Sequence, residues 1–528
     1  MTEVADSPEL VWKSAKSFMG WKTQGTPNQV KVGNQLVTSA KLIAKAMNEF
    51  FINKVETIRA GMTSVTSIMS KVHDIMFNKK CKMNLNHVSV LKVKKILKSL
   101  SNTNSRSTGI DELDNFSVKL VAEHIAQPVH HIITLSIMQS KFPYGWKFSK
   151  VLPLHKKEDL LERKNYRPVA ILSPLSKVLE KVVYEQVYNY FSSNQLFHPN
   201  FHSYRKGLST QTALLQMYDR WVRSASDGQL SGVVLLDLSA AFDLVDPVLL
   251  LQKLKVYGFD ENTLHWVESY LTDRNQAVWI DHALSDFLPC KVGVPQGSNL
   301  GPLLFLIFFN DLPSSLNCDA DAYADDTTLT VTGKTVEEIG EKMTENCDLV
   351  STWMMGNKLK LNAEKTHLMT VGTRARLQLQ ESQVIVQMDG HQLEESLDQF
   401  ETLLGCQIEP SLKWHIQIDN LLKKLKKRLT GLQNLRNIIP FHLRKQITEG
   451  IFTSVLAYCL PVCGGCDKAE MEALQVMQNK AARLVTHSQL RDSRQAIFSQ
   501  VGWMTVHQLV FYFSALSTFR IRQNKEPQ

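Results

Sequence analysis

Apolar residues recur along this chain in two ways: at helical spacing over long stretches, and in short unbroken runs. Between Ser39 and Arg59, Leu42, Ile43, Ala46, Phe50, Phe51 and Val55 follow the helical period. From Val88 to Leu100, apolar Leu91, Ile96, Leu97 and Leu100 alternate with Lys92, Lys94, Lys95 and Lys98, which predicts a basic amphipathic helix. The Ser/Asn-rich stretch 101–109 then predicts a loop and a domain boundary. Helices are predicted over 113–125 and 128–140, and strands over 151–159 and 166–173, with Pro168 at a sheet edge. Pro174 precedes a predicted helix from Leu175 to Phe191. Gly232 to Leu236 is continuously apolar, as in a strand buried on both faces. Pro247 suits a first helical position and Gly258 the close of that helix. The run Leu303–Phe309 is too short to span a bilayer and predicts a buried helix or strand. An amphipathic helix is predicted over 336–355, with short strands at 358–361 and 367–371. From Trp414 to Arg436 the chain predicts a basic helix, its cations facing a single acid, Asp419; the remainder through 528 is mostly helical.

At 528 residues, more than one domain is expected. With 44% hydrophobic and 21% charged residues the chain is globular rather than disordered. A formal charge of +9 fits a polyanionic partner without requiring one. The 8 cysteines have no even spacing, which favours a reduced compartment over a secreted disulfide framework. Glu3, Asp6 and Glu9 interrupt the first residues, and no signal peptide is expected. The expected location is therefore intracellular, in nucleus or cytoplasm, with no membrane partner.

Two strings carry the chemistry. In VVLLDLSAAFD, Val233 to Asp243, a lone carboxylate, Asp237, ends the apolar run. In DAYADDTTLTV, Asp321 to Val331, Asp325 and Asp326 stand at the tip of a predicted hairpin with apolar flanks. An Asp-Asp turn is ordinarily solvated, but these flanks hold it against a core. A carboxylate ending a buried strand is costly unless paired or metal-bound. Mg²⁺ takes hard oxygens and keeps water and phosphate as its other ligands. Asp237 and Asp325 are thus the expected bridging ligands, with Asp326 and the carbonyl of Leu238 beside them, around two ions as in nucleotidyl transfer.

These residues stand in boxes that resemble the reverse transcriptase of non-LTR (LINE-type) retrotransposons. Tyr323-Ala324-Asp325-Asp326 resembles that family's signature, LDLSAAFDLVD (236–246) its first palm motif and GVPQGSNLGPLLF (293–305) its second. LKLNAEKT (359–366), YRPVAILSPLSKVLEKVV (166–183) and YRKGLST (204–210) extend the likeness, in the family's order, over roughly 105–408. The chain departs at Ser203, Tyr204 and Arg205, where Gly-Phe-Arg is usual, and at Leu208, where a basic residue is usual. Neither departure touches the carboxylates.

The resemblance implies an α+β right-hand polymerase fold: fingers, a palm with an antiparallel sheet, a helical thumb, and helical extensions at both ends. It divides the chain into a connecting segment (1–105), fingers and palm (106–408), and a thumb with C-terminal region (409–528), without the endonuclease that full-length elements carry ahead of the polymerase. It implies an RNA-directed DNA polymerase using an RNA template, a DNA primer, deoxynucleoside triphosphates and Mg²⁺, for which Mn²⁺ can substitute. Asp237, Asp325 and Asp326 become its catalytic carboxylates. Phe242 becomes the gate that excludes a ribose hydroxyl, and Gln296 and Gly297 lie by nucleotide and template. Lys156 and Arg167 hold the triphosphate, and Lys365 protonates pyrophosphate. Lys423, Lys424, Lys427 and Arg428 contact duplex phosphates from the thumb.

Bland readings compete: a core Phe for Phe242, a simple turn for Gln296-Gly297, and solvated cations for the Lys and Arg. Cys459, Cys463 and Cys466 hint at zinc, but the spacing is loose, and incidental thiols are the better expectation. The functional alternative is a catalytically silent, nucleic-acid-binding remnant of a truncated element. An RNA-dependent RNA polymerase shares the palm logic but is disfavoured by Phe242.

Overall fold

The computed structural model describes residues 26–62, 70–76, 79, 81–101, 108–156, 158–380, 383–393, 395, 399–434 and 436–522. The polar lead 1–25 and most of the boundary loop, 102–107, lie outside them. The architecture is α+β.

The expected apolar strand forms as Leu230–Leu236, the second of four antiparallel strands in the order His367–Val371, Leu230–Leu236, Asp326–Gly333, Asp319–Tyr323. Its unbroken hydrophobicity reflects cover on both faces. Val234 and Leu236 pack with the helices Gly301–Phe309 and Val336–Gly356, whereas Val233 packs with the helices Thr210–Ser226 and His415–Gln433. Leu303–Phe309 is therefore helical, and it is buried throughout. Register fixes the chemistry: Leu236 faces Thr327, and Tyr323 faces Asp326. One residue beyond Leu236, Asp237 leaves the strand beside Asp326.

A second sheet runs Tyr166–Ile171, Phe148–His155, Arg274–Ile280, Ala283–Leu284, with Leu288–Cys290 also paired to Arg274–Ile280. Phe148–His155 and Arg274–Ile280 are parallel; the other pairs are antiparallel. Pro168 sits on its edge strand, where no ladder donor is lost. The amphipathic helix predicted near Ser39 spans Ala40–Ala60. Its buried Ile43, Ala44, Met47 and Phe51 close this sheet's face against Val151, Val278 and Ile280. Asn48 keys the contact, donating to the Asp286 carbonyl at 2.9 Å.

Helices Val90–Lys98, Pro174–Ser193, Pro247–Val256 and Val336–Gly356 also follow the sequence reading. Two expectations are corrected. The break between the helices 113–125 and 128–140 lies at Val121, separating Asn115–Leu120 from Ala122–Met138. Pro128 sits inside the second helix, where its ring nitrogen forgoes one bond to the preceding turn. Nor is 358–361 a strand. Lys358 takes a positive φ of 55°, and only Leu361 pairs, in an isolated bridge with Leu238. Beyond residue 414 the described chain is helical, as expected. Among the described residues no helix is long and apolar enough to cross a membrane.

Candidate active site

The two sheets and the Ala40–Ala60 helix enclose an open cleft of about 730 Å³. Lys156, Arg167, Asp237, Leu238, Phe242, Gln296, Gly297, Asp325 and Lys365 all line it. The sequence scatters these residues over two hundred positions; the fold gathers them.

Its acidic floor follows from the central sheet. The hairpin turns at Ala324, which adopts a positive φ of 59°, and Asp325 projects into the cleft. Asp326 opens the next strand at the sheet end. Loss of water around its carboxyl, then the like charges of Asp325 and Asp237, push the Asp326 pKa up; Lys156 and Arg167 pull it down. The three carboxylates thus stand within one another's field, an arrangement that divalent cations relieve.

Asp237 is held on two sides. Asn362 donates from Nδ2 to its Oδ2 at 3.0 Å, and the Asn362 backbone N–H donates to its carbonyl at 2.9 Å. Ser239 N–H donates to the Lys360 carbonyl at 3.0 Å, so the Leu238–Leu361 bridge turns the Leu238 carbonyl away from this pairing. That hard oxygen, with three carboxylates, is a donor set suited to Mg²⁺.

Phe242 stacks on Phe305, centroids 4.1 Å apart and planes 13° apart, and Phe305 stacks on Phe309. Half-buried, it lines the cleft. The Gln296 carbonyl accepts from Ala170 N–H at 2.8 Å, docking this turn on the second sheet. Gly297 adopts a φ of 115°, and a Cβ there would lie 2.3 Å from the Ala170 carbonyl oxygen, so only glycine fits.

The basic thumb candidates lie elsewhere, on His415–Gln433. Lys423, Lys424 and Lys427 are exposed, Lys423 pairing with Asp419 at 2.6 Å. Arg428 is half-buried and donates to the Ile451 carbonyl at 2.6 Å. All eight cysteines are free thiols, and Cys459 and Cys463 are buried.

Four cleft residues escaped the reading of the sequence. Asp243 is half-buried, accepts from Gln296 Nε2 at 2.7 Å, and has its pKa pushed up to about 6 by desolvation, against Gln296, Lys54 and Arg167. It lay inside a quoted box, one place past Phe242. Asn362 also lay inside a box. Tyr204 opened a quoted box and was noted there as a departure, without a role; burial first, then Asp325 and Tyr323, push its hydroxyl up to about 12. Lys54, from the Ala40–Ala60 helix, had no sequence signal at all.

With this geometry in view, residues 154–408 match the family described as reverse transcriptase (RNA-dependent DNA polymerase). Similar proteins include the probable RNA-directed DNA polymerase from transposon BS of Drosophila melanogaster, 25% identical over 72% of this chain and 43% of the relative. The RNA-directed DNA polymerase from mobile element jockey of the same species is 25% identical over 72% of this chain and 42% of its own length. Its counterpart from Drosophila funebris is 23% identical over 90% of this chain and 52% of its own. The chain thus spans about half the length of the curated relatives it matches.

Proposed function

We propose, from the premise that residues 154–408 are a reverse transcriptase domain, that this chain is an RNA-directed DNA polymerase of a non-LTR retroelement. It extends a DNA primer on an RNA template with deoxynucleoside triphosphates. The observation that carries the reading is that Asp237, Asp325 and Asp326 share one electrostatic field with the cleft cations Lys156 and Arg167.

The central sheet serves as palm, the second sheet as fingers, and the helices beyond residue 409 as thumb; residues 1–105 form the preceding segment and 106–408 the fingers and palm. Asp237, Asp325 and Asp326, with the Leu238 carbonyl, would hold two Mg²⁺ ions. When bound, these ions supply activation of the primer 3′-hydroxyl and neutralisation of the leaving pyrophosphate. Asn362 fixes the orientation of Asp237. Lys156 and the bidentate fork of Arg167 receive the triphosphate. Phe242, braced by Phe305, meets the sugar at C2′, and a ribose hydroxyl clashes there. Gln296 and Gly297 let the backbone approach the nucleotide and template. Lys365, at the cleft rim, delivers a proton to pyrophosphate. Lys423, Lys424, Lys427 and Arg428 lie toward the duplex.

The test uses the purified chain, poly(rA)/oligo(dT), labelled dTTP and Mg²⁺. Extension is expected, with loss of three or more orders of magnitude on Asp325→Ala. Tight duplex binding without extension by the unaltered chain would instead identify the silent remnant.

A further inference from the structure

Tyr204 stands where the family's usual Gly-Phe-Arg gives way to Ser203-Tyr204-Arg205, and the polymerase reading leaves it without a task. Its placement is nonetheless heavily determined. Asn200 accepts from Ala322 N–H at 3.0 Å and His202 donates to the Ala322 carbonyl at 3.0 Å, so this segment extends the central sheet beside the strand that enters the catalytic turn. Arg205 ties the bend from within, donating to the carbonyls of His198 at 2.8 Å and Phe201 at 2.9 Å. Lys206 N–H donates to the Tyr188 hydroxyl at 2.8 Å just beyond. Between these anchors Tyr204 adopts a positive φ of 56°, a conformation a bulky residue takes only under constraint. The result is a side chain thrown into the cleft.

There its ring meets Phe242 edge-on, centroids 6.4 Å apart and planes at 87°. Phe305 covers one side of Phe242 in a parallel stack. Tyr204 adds a second, edge-on aromatic contact to that ring, and the two contacts together narrow the rotamers open to it.

We propose that Tyr204 is a specificity-determining residue: its ring pins Phe242, so that rejection of a ribose 2′-hydroxyl belongs to the pair rather than to Phe242 alone. This rests on the polymerase reading above. The ring performs the task, and the hydroxyl is dispensable for it.

The test measures incorporation of dTTP and UTP on the same primer–template with Mg²⁺, taking the ratio of kcat/KM values. The variants are Tyr204→Leu, Tyr204→Met, Tyr204→Phe, Phe242→Ala and the double Tyr204→Leu/Phe242→Ala, each checked for an unchanged thermal midpoint. Tyr204→Leu should lower the preference for dTTP about tenfold, the size of one edge-to-face aromatic contact. Tyr204→Met serves if the leucine variant does not fold. Tyr204→Phe should restore the ratio. The double variant should be no less selective than Phe242→Ala, because both changes act through one ring. Lower rates for both nucleotides at an unchanged ratio overturn the proposal, as does a double variant whose losses multiply. A ratio unmoved by Phe242→Ala marks a different failure: the gate itself is absent, and the proposal falls with it.

Discussion

A half-buried carboxylate in the field of two cations, Asp243, ties acidity to stability at the residue scale. Folding raises its pKa from 3.8 to about 6, burial outweighing the Gln296 hydrogen bond and the pull of Lys54 and Arg167; the Cys290 thiol also lies within its field. The native state therefore holds this proton more tightly than the unfolded chain. The contribution to stability is fully present below pH 3.8 and is lost as pH rises through about 6. Asp243→Asn keeps an acceptor for Gln296 but removes the charge. Its urea midpoint relative to the unaltered chain should rise between pH 4 and pH 6.5 and level off above. A difference that stays constant over this range would mean the carboxyl titrates normally and is better hydrated than its surroundings imply.

At the scale of elements, the turn before the helix Gly301–Phe309 gives the sharpest steric prediction. Gly297→Ala adds a Cβ where the Ala170 carbonyl oxygen leaves 2.3 Å, at a φ that alanine avoids. The turn must lift off the second sheet, moving Gln296 by a large part of an ångström. Extension should fall about 10²-fold, as for other displacements of this size, with near-normal duplex binding. Retained extension would show that the turn relaxes freely. Such elements were legible where periodicity and punctuation agreed. Pro174 and Pro247 open their helices as read, and the apolar run at 230–236 is a doubly covered strand. Misreadings arose where one residue outweighed the pattern. The reading opened a helix at residue 128, yet the helix Ala122–Met138 runs through Pro128. Lys358 takes a positive φ where a strand was expected over 358–361.

Across the whole molecule, what the sequence hid was long-range. The carboxylates sat in recognisable boxes because their chemistry demands particular residue types at particular spacings. Lys54 reaches the cleft only because Ile43, Met47 and Phe51 press its helix onto a sheet formed a hundred or more residues later, and no local pattern reports that. The same distance between local and global governs the basic helix His415–Gln433. Its charge is visible in the sequence; how much of it is free is not. Lys424 and Lys427 are exposed, whereas Lys423 is paired with Asp419 and Arg428 is turned to the Ile451 carbonyl. If this face tracks a duplex, the exposed cations should release counterions on binding and the engaged ones should do so less. Binding of an RNA–DNA hybrid by the Asp325→Ala chain, measured from 50 to 300 mM salt, should give a linear log–log plot. Lys424→Ala and Lys427→Ala should each reduce its slope by about 1. Lys423→Ala and Arg428→Ala should change it by less. Four unchanged slopes would move the duplex to another surface while leaving the cleft chemistry intact.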